Sequence, residues 1–441
     1  MSPHPPGTGP AWRNWSGTAA SAPRAVRTPT GTADVVAAVR AAAERGGTVK
    51  MVGTGHSFTA ISAPEDLMLR PDRLSGVVDV DRSAMTVTAL AGTPLHRFNA
   101  DLERLGLSLH NMGDIAEQTL AGATSTGTHG TGGVAASLSA QVSGLELVTG
   151  DGTVLWADRD TEPEVFAAAR LGLGALGILT RLRFDVEPLG VLEAHERPMR
   201  WADALAAYDD LTAGHHHTDL YWFPHTDAVL VKTDDRLDLE PGEAEPLGRL
   251  RRWVDDELVA NTAFGALNAV GNRAPGLVPR FNRLAGRLLS ERRYSDVPHR
   301  VFTSPRRVRF KEMEYAVPRA DGLAVLAEVR RLVERNDWRI GFPVEVRHTP
   351  ADDLVLGTSS GRESMYLAFH VNAAADHRDY FGQVERVLVA AGGRPHWGKL
   401  HSRTASDLAA AYPRWAEFAS VRDRLDPQRV FDNDHLRRVL G

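Results

Sequence analysis

The sequence predicts an α+β protein of two domains, and three observations predict it. Up to Pro188, short apolar runs alternate with turn residues and two glycine-rich loops. Beyond Pro188, strand candidates are interleaved with longer, arginine-rich helical stretches. The 441 residues, 43% hydrophobic and 24% charged, suit a globular chain with a sizeable core. A net charge of −5 leaves no basic footprint for nucleic acid. No run approaches the ~18 apolar residues of a membrane span. The opening Met1-Ser2-Pro3-His4-Pro5-Pro6 lacks the charged and apolar regions of a secretory signal, so a cytoplasmic location is expected. The absence of cysteine excludes disulfides, thiol nucleophiles, Fe–S clusters and cysteine-based zinc sites. Only four lysines occur, Lys50, Lys232, Lys311 and Lys399, against a background of arginine. A lysine in such a chain is expected to be needed for its compact charge.

In order, residues 1–22 are rich in Pro, Gly, Ser and Ala and read as a flexible tail. Thr32 is the expected N-cap of a helix that Gly46-Gly47 ends. Thr48–Val52 reads as a strand entering a glycine turn, and Leu67–Leu69, Val77–Val80 and Met85–Leu90 as further short strands. Thr93-Pro94 starts a helix ending near Gly106. The small-sided stretch Asn111 to Gly133 reads as a second glycine- and threonine-rich loop. A hairpin follows, turning at Asp151-Gly152, then a helix at Glu164–Arg170 and a strand at Thr180–Val186. These elements make a first domain, 23–188. The second, 189–402, is expected to hold strands at Tyr221–Phe223, Val229–Val231, Val308–Phe310, Met313–Val317 and Met365–Val371. Its expected helices are Leu247–Leu258, Leu277–Leu289 and Asp321–Asn336, the last capped by Asp321. A helical C-terminal segment, 403–441, is expected to return to the first domain.

The turn Gly53-Thr54-Gly55-His56-Ser57 carries the first chemical signal. Its glycines permit positive φ and close approach to a ligand, and successive amides in such a turn make an anion site. It is a poor dinucleotide fingerprint, since Phe58 stands where a third glycine is needed. Two loops rich in unhindered amides suit a diphosphate held without a helix N-terminus. On these grounds alone His56 is open to three roles: base, metal ligand or covalent anchor. Further on, Glu345 and Arg347 alternate with Val344 and Val346, so the two charges share one strand face. His215-His216-His217 reads as a polar loop without carboxylates at metal spacing. Asp432-Asn433-Asp434-His435 reads as the cap of the last helix. Arg249, Arg251 and Arg252, and Arg306, Arg307 and Arg309, read as solvated faces. No metal site is expected.

The glycine turn resembles the FAD-binding domain of the vanillyl-alcohol oxidase superfamily, together with Ala121-Gly122…Thr126-Gly127-Thr128-His129-Gly130-Thr131-Gly132 and Leu173-Gly174-Ala175-Leu176-Gly177-Ile178. Phe310–Pro318, Val344-Glu345-Val346-Arg347, His396-Trp397-Gly398-Lys399 and Leu425-Asp426-Pro427 resemble the sugar-lactone and alditol oxidases of that superfamily. The resemblance implies a two-subdomain FAD domain with an α+β substrate or cap domain. It implies cofactor contacts from Gly53, Thr54, Gly55, His56, Ser57, Gly113, Asp114, Thr119, Gly122, Thr126, Gly127, Thr128, His129 and Ile178. It makes His56 the residue joined to the flavin's 8α-methyl, and His129 a support for its loop. Lys399 is expected at the pyrimidine side of the flavin, where a fixed cation stabilises charge arriving at the ring. Glu345 and Arg347 are expected to line the substrate pocket. His396 joins them as a hydroxyl contact or proton acceptor, with the base left open among Arg347, Lys399, His396 and water.

Gly113 falls at the resemblance's gatekeeper position, where a small residue implies entry of dioxygen. Asp114 stands where alditol oxidases have serine, which weighs against a simple polyol. The expected activity is FAD-dependent oxidation of a C–OH in a small sugar-derived substrate, an aldono-1,4-lactone first, with O2 or another acceptor taking the electrons. An alditol oxidase, or an oxidase of a glycosylated natural product, is the alternative. An NADPH-dependent reductase of the cell-wall-precursor type, with noncovalent FAD, and a non-enzymatic binding protein are the competing readings.

Overall fold

The computed structural model describes residues 11–248, 264–304 and 306–441. The helix expected at Leu247–Leu258, with Arg249, Arg251 and Arg252, falls almost wholly outside the described residues. Ahead of Pro188 the chain builds a three-stranded parallel sheet, ordered Ala25–Arg27, Leu67–Leu69, Val49–Met51, and a five-stranded antiparallel sheet. The five-stranded order is Val154–Asp158, Val142–Val148, Ile178–Asp185, Thr86–Leu90, Val77–Asp81.

Beyond it stands an eight-stranded antiparallel sheet. Its order is Arg292–Asp296, Val191–Arg200, Ala228–Leu237, His217–Trp222, Val344–Thr349, Ser364–Asn372, Phe310–Pro318, Arg394–Pro395. Period-two alternation divides its residues between two faces. Val344, Val346, Leu220, Trp222, Val231, Met313 and Tyr315 join one apolar cluster. Over that cluster lie Val325, Leu326, Val329 and Val333 of helix Arg319–Asn336, and Tyr380, Phe381 and Val384 of helix Arg378–Ala390. The alternate positions, Glu345 and Arg347, Asp219 and Tyr221, Lys232, Glu312 and Glu314, occupy the other face. Most of them are buried all the same. The sheet therefore spends one face on a core and keeps the other for ionisable groups.

The C-terminal helices Ala405–Ala411, Trp415–Leu425 and Asp434–Leu440 send Leu408, Tyr412, Phe418, Val421, Leu436 and Val439 into the largest apolar cluster. There they meet Leu120, Leu145 and Leu182 of the N-terminal half. Asn433 caps the last helix, accepting from Leu436 N. Its Nδ2 donates to the carbonyls of Ala60, Ile61 and Ala63, which pins the segment just after the glycine turn.

The structure corrects several expectations. Residues 11–22 are not a loose tail. Trp12-Arg13 pairs with Ala20-Ser21, Trp12 is 8% exposed, and Trp15 N donates to Gly55 O at 2.8 Å. Aromatic anchors outweigh the glycine and serine around them. The second glycine-rich stretch is not loop throughout: Leu120–Thr126 is helical, capped by Thr119, whose hydroxyl accepts from Gly122 N, and ended by Gly127 at φ 76°. Its small residues hide the helical pattern. Helix Arg319–Asn336 begins two residues before the expected cap Asp321, directly after Pro318. The helix expected to be capped by Thr32 has Gly31 in that place. His217 is not in a loop but opens a central strand, and its Nδ1 lies 2.5 Å from Thr131 O.

Candidate active site

The site starts from the turn at 53–57. Among the described residues, the backbone amides from Gly53 to Ser57 donate to no protein acceptor. Five consecutive amides without protein acceptors, in a turn that passes through positive φ, are the material of an anion cradle. Gly55 has φ 74°, which a side chain rarely tolerates. A Cβ on Gly53 would lie 2.6 Å from Thr119 Oγ1, so the two glycine-rich stretches meet with no space for one. Such a cradle fits the diphosphate of FAD. His56, half-buried, stacks on Trp15 with ring centroids 5.5 Å apart. Burial, the largest influence on it, lowers its pKa and favours the neutral imidazole.

The turn is tied to the C-terminal motif. Phe58 N donates to Gly398 O at 2.6 Å, and Lys399 Nζ lies 5.1 Å above the Phe58 ring. Lys399 pairs closely with Glu312 and stands 3.9 Å from Glu314. Burial alone would lower the lysine's pKa, but the two carboxylates raise it, so the ammonium persists. Glu314 also lies 3.2 Å from His129 Nε2. Burial works against its charge, yet His129 and Lys399 hold it well below the usual carboxylate range. The His129 ring centroid lies 3.7 Å from that of Tyr366, the rings tilted by 31°, and its Nδ1 makes a 2.9 Å contact to Gly130 O. Ligand-capable atoms of His129, Glu314 and His396 come within 4.8 Å of one another. His129 lies against Glu314, and the Lys399 ammonium already faces that carboxylate, so the set reads as a polar network around the Lys399 charge.

A second group lies on the same sheet face. Arg347 Nε donates to Asp219 Oδ1 at 2.8 Å, and its Nη2 lies 2.6 Å from Glu345 Oε1 and 3.8 Å from Asp114 Oδ2. The Glu345 contact has ion-pair distance but not hydrogen-bond alignment, which leaves Oε1 without an aligned donor. Burial raises the Glu345 pKa although Arg347 opposes it. Asp114 takes a 2.5 Å contact from Arg306. Burial would raise the Asp114 pKa, but the Arg306 and Arg347 guanidiniums bring it below its ordinary value. Arg306 is exposed, as expected of a solvated arginine, but its head group is committed to this pair.

The predicted catalytic residues thus stand in two adjoining groups: Glu345 with Arg347, and Lys399 with His396 by way of Glu314. His396 differs from its expected character. Its Nδ1 accepts from Gly398 N at 3.0 Å, and burial lowers its pKa to about 3. It is a neutral acceptor and a weak base. Gly113 also acquires a packing reason, since a Cβ there would sit 3.1 Å from both His129 O and Thr128 Cγ2. Its bareness by itself argues nothing about dioxygen. Thr126 Oγ1 donates to Gly122 O, Thr128 exchanges hydrogen bonds with Gln118, and Ile178 belongs to an apolar cluster with Val148. These three side chains are engaged within the protein. The geometry joins to the expected residues three that were not among the candidates read from the sequence, Asp219, Glu312 and Glu314. A signal existed in Glu312-Met313-Glu314 and Asp219-Leu220-Tyr221, which alternate polar with apolar like Glu345-Val346-Arg347.

Comparison with known proteins agrees with this construction. The FAD binding domain family matches residues 23–158, and the D-arabinono-1,4-lactone oxidase family matches residues 182–439. The chain is 40% identical to an L-gulono-1,4-lactone dehydrogenase of Mycobacterium tuberculosis, over 98% of this chain and 99% of the relative. It is 30% identical to the L-gulonolactone oxidase of Bos taurus, over 98% of each. It is 32% identical to an alditol oxidase of a Streptomyces species, over 97% of this chain and 98% of the relative. Cholesterol oxidase from Brevibacterium sterolicum has the same fold, with a TM-score of 0.84 at 18% identity over the full length of both chains. The chain belongs to the D-arabinono-1,4-lactone oxidase family, FAD-dependent oxidoreductases that act on CH–OH donors.

Proposed function

We propose that this protein oxidises a ring hydroxyl of an aldono-1,4-lactone, with FAD joined covalently through His56. The observation that carries the reading is the pairing of Arg347 with Glu345 on a buried sheet face, next to a lysine tied to the flavin cradle. FAD, when bound, supplies the two-electron acceptor for the C–H bond beside the hydroxyl. The amides of Gly53–Ser57 hold the diphosphate, and the neutral His56 imidazole has the lone pair that a covalent link needs. Lys399 supplies the cation at the pyrimidine side of the ring. Arg347 orients the substrate hydroxyl and stabilises negative charge on its oxygen. Glu345 takes the hydroxyl proton. Its burial-raised pKa and unaligned Oε1 suit a base better than His396, whose affinity for protons is too low. Asp114, held by Arg306, bounds the pocket and contacts a further hydroxyl. Dioxygen and a separate acceptor are both open to the reduced enzyme, and the relatives' names include an oxidase and a dehydrogenase.

Acid denaturation of the purified protein should leave yellow colour in the pellet, with flavin on the peptide containing His56. Free flavin in the supernatant would sink the covalent link. Turnover should be higher on aldono-1,4-lactones than on alditols or glycosides, with peroxide release against dye reduction identifying the acceptor. Faster turnover of alditols would overturn the substrate class. Glu345→Gln, isosteric but not basic, should lower kcat by ~10²-fold with flavin retained.

A further inference from the structure

The charged face of the large sheet extends well beyond the pocket. Cross-strand register sets Arg292 opposite Glu196, Glu196 opposite Lys232, and Lys232 opposite Asp219. Residues opposite one another share a face. Arg292 grips Glu196 with two hydrogen bonds, 2.7 and 2.8 Å long, and Asp219 takes the Nε of Arg347 at 2.8 Å. Across five strands the signs alternate: Arg292, Glu196, Lys232, Asp219, Arg347. The row runs from the edge strand to the residue that faces substrate.

We propose that Asp219 and Lys232 are positioning residues that act on the reaction through Arg347; this rests on the role given to Arg347 above. Among the described residues, Asp219 is the side chain that hydrogen-bonds the Arg347 guanidinium. Holding Nε fixes the plane of the fork, which leaves Nη2 toward Glu345 and Asp114. Lys232 acts one step further away. Its Nζ donates to Val301 O at 2.8 Å and lies 3.5 Å from Asp234 Oδ2. It is the cation between Glu196, Asp234 and Asp219. Without it the Glu196, Asp234 and Asp219 carboxylates have no cation between them, and their repulsion works against the placement of Asp219 that holds the Arg347 Nε. The row is weak ground for stability, because buried ion pairs replaced by apolar residues of similar volume are often no less stable.

The test compares Asp219→Asn, Lys232→Met and Lys232→Arg with Arg347→Lys in the flavin-loaded enzyme, by steady-state kinetics and thermal melting. Asp219→Asn should lower kcat ~30-fold, with flavin content kept and KM within about threefold. Lys232→Met should lower kcat ~10-fold and Lys232→Arg should restore most of it. In an Arg347→Lys background, Asp219→Asn should cost less than about twofold more, because its route to the reaction is already cut. Full additivity there, or kcat within about twofold of the parent for both Asp219→Asn and Lys232→Met, would overturn the proposal while Arg347→Lys remains impaired. Parental turnover in Arg347→Lys would instead remove the reading of Arg347 on which it stands. If Asp219→Asn does not fold, the Lys232→Met and Lys232→Arg pair decides.

Discussion

The glycine cradle and the charged sheet face achieve burial of charge in opposite ways. The cradle at Gly53–Ser57 is made of backbone. Its donors are amides that any residue carries, and side chains matter there chiefly by being absent, as at Gly53 against Thr119. The sheet face is made of side chains from distant segments: Asp219 and Glu312 are neutralised by Arg347 and Lys399 from another strand or loop, and Glu345 by Arg347 two residues along its own strand. Backbone cradles suit a diphosphate, which needs donors and no side-chain selection. Side-chain fields are suited to select a substrate and set where a proton goes. On the function proposed above, the cradle serves cofactor retention and the sheet face serves turnover.

The largest test of that division is Arg347→Ala. It leaves Asp219 and Glu345 buried without their cation, a loss worth ~3–5 kcal/mol where a buried pair is broken. We expect kcat/KM to fall ~10³-fold with flavin absorbance per protein unchanged. Loss of flavin in this variant would break the division. Next comes Gly53→Val, whose branched side chain meets Thr119 Oγ1 within 2.6 Å of its Cβ. Flavin occupancy should drop ~10-fold, while the fraction still loaded turns over at the parental rate. Reduced turnover at full occupancy would show that the cradle sets chemistry too.

The smallest effect concerns His396. Its pKa in the fold, about 3, lies below the ordinary 6.5, so the unfolded chain binds more protons between those values. Stability should therefore rise with pH across that window. His396→Gln should flatten the rise in Tm between about pH 4 and 6.5, yet leave the acidic limb of kcat/KM where it was. A moved limb would make His396 the base and sharpen the comparison against Glu345.

Legibility in the sequence followed the same line. The glycine turn, His56 and the second glycine-rich stretch could be read because a backbone cradle is encoded contiguously. Glu345 and Arg347 could be read because alternation with Val344 and Val346 places them on one face. Their meaning changed with the fold: all four residues are buried, so the face is interior. Asp219, Glu312 and Glu314 had the same alternation and were passed over, because a charged strand face reads as solvated until something covers it. Arg306 was read correctly as exposed, and only proximity to Asp114 gives it work. Trp12 and Trp15 were lost in a tail of small residues, though they brace the turn that carries His56.

By itself the sequence determined the local structures that depend on neighbours in the chain: strands ending in glycine turns, a hairpin at Asp151-Gly152, the cap at Asn433, and the alternation that sorts apolar from ionisable residues. These follow from φ/ψ preferences and side-chain direction, which act over a few residues. Only the tertiary structure decided which charges meet. The Phe58–Gly398 hydrogen bond brings Lys399 to the cradle across 340 residues of chain, and strand register sets Lys232 beside Asp219 and Asp219 beside Arg347. An ionisable group acquires its pKa, and with it its role, from the charges and burial around it, and those exist only once the strands have paired.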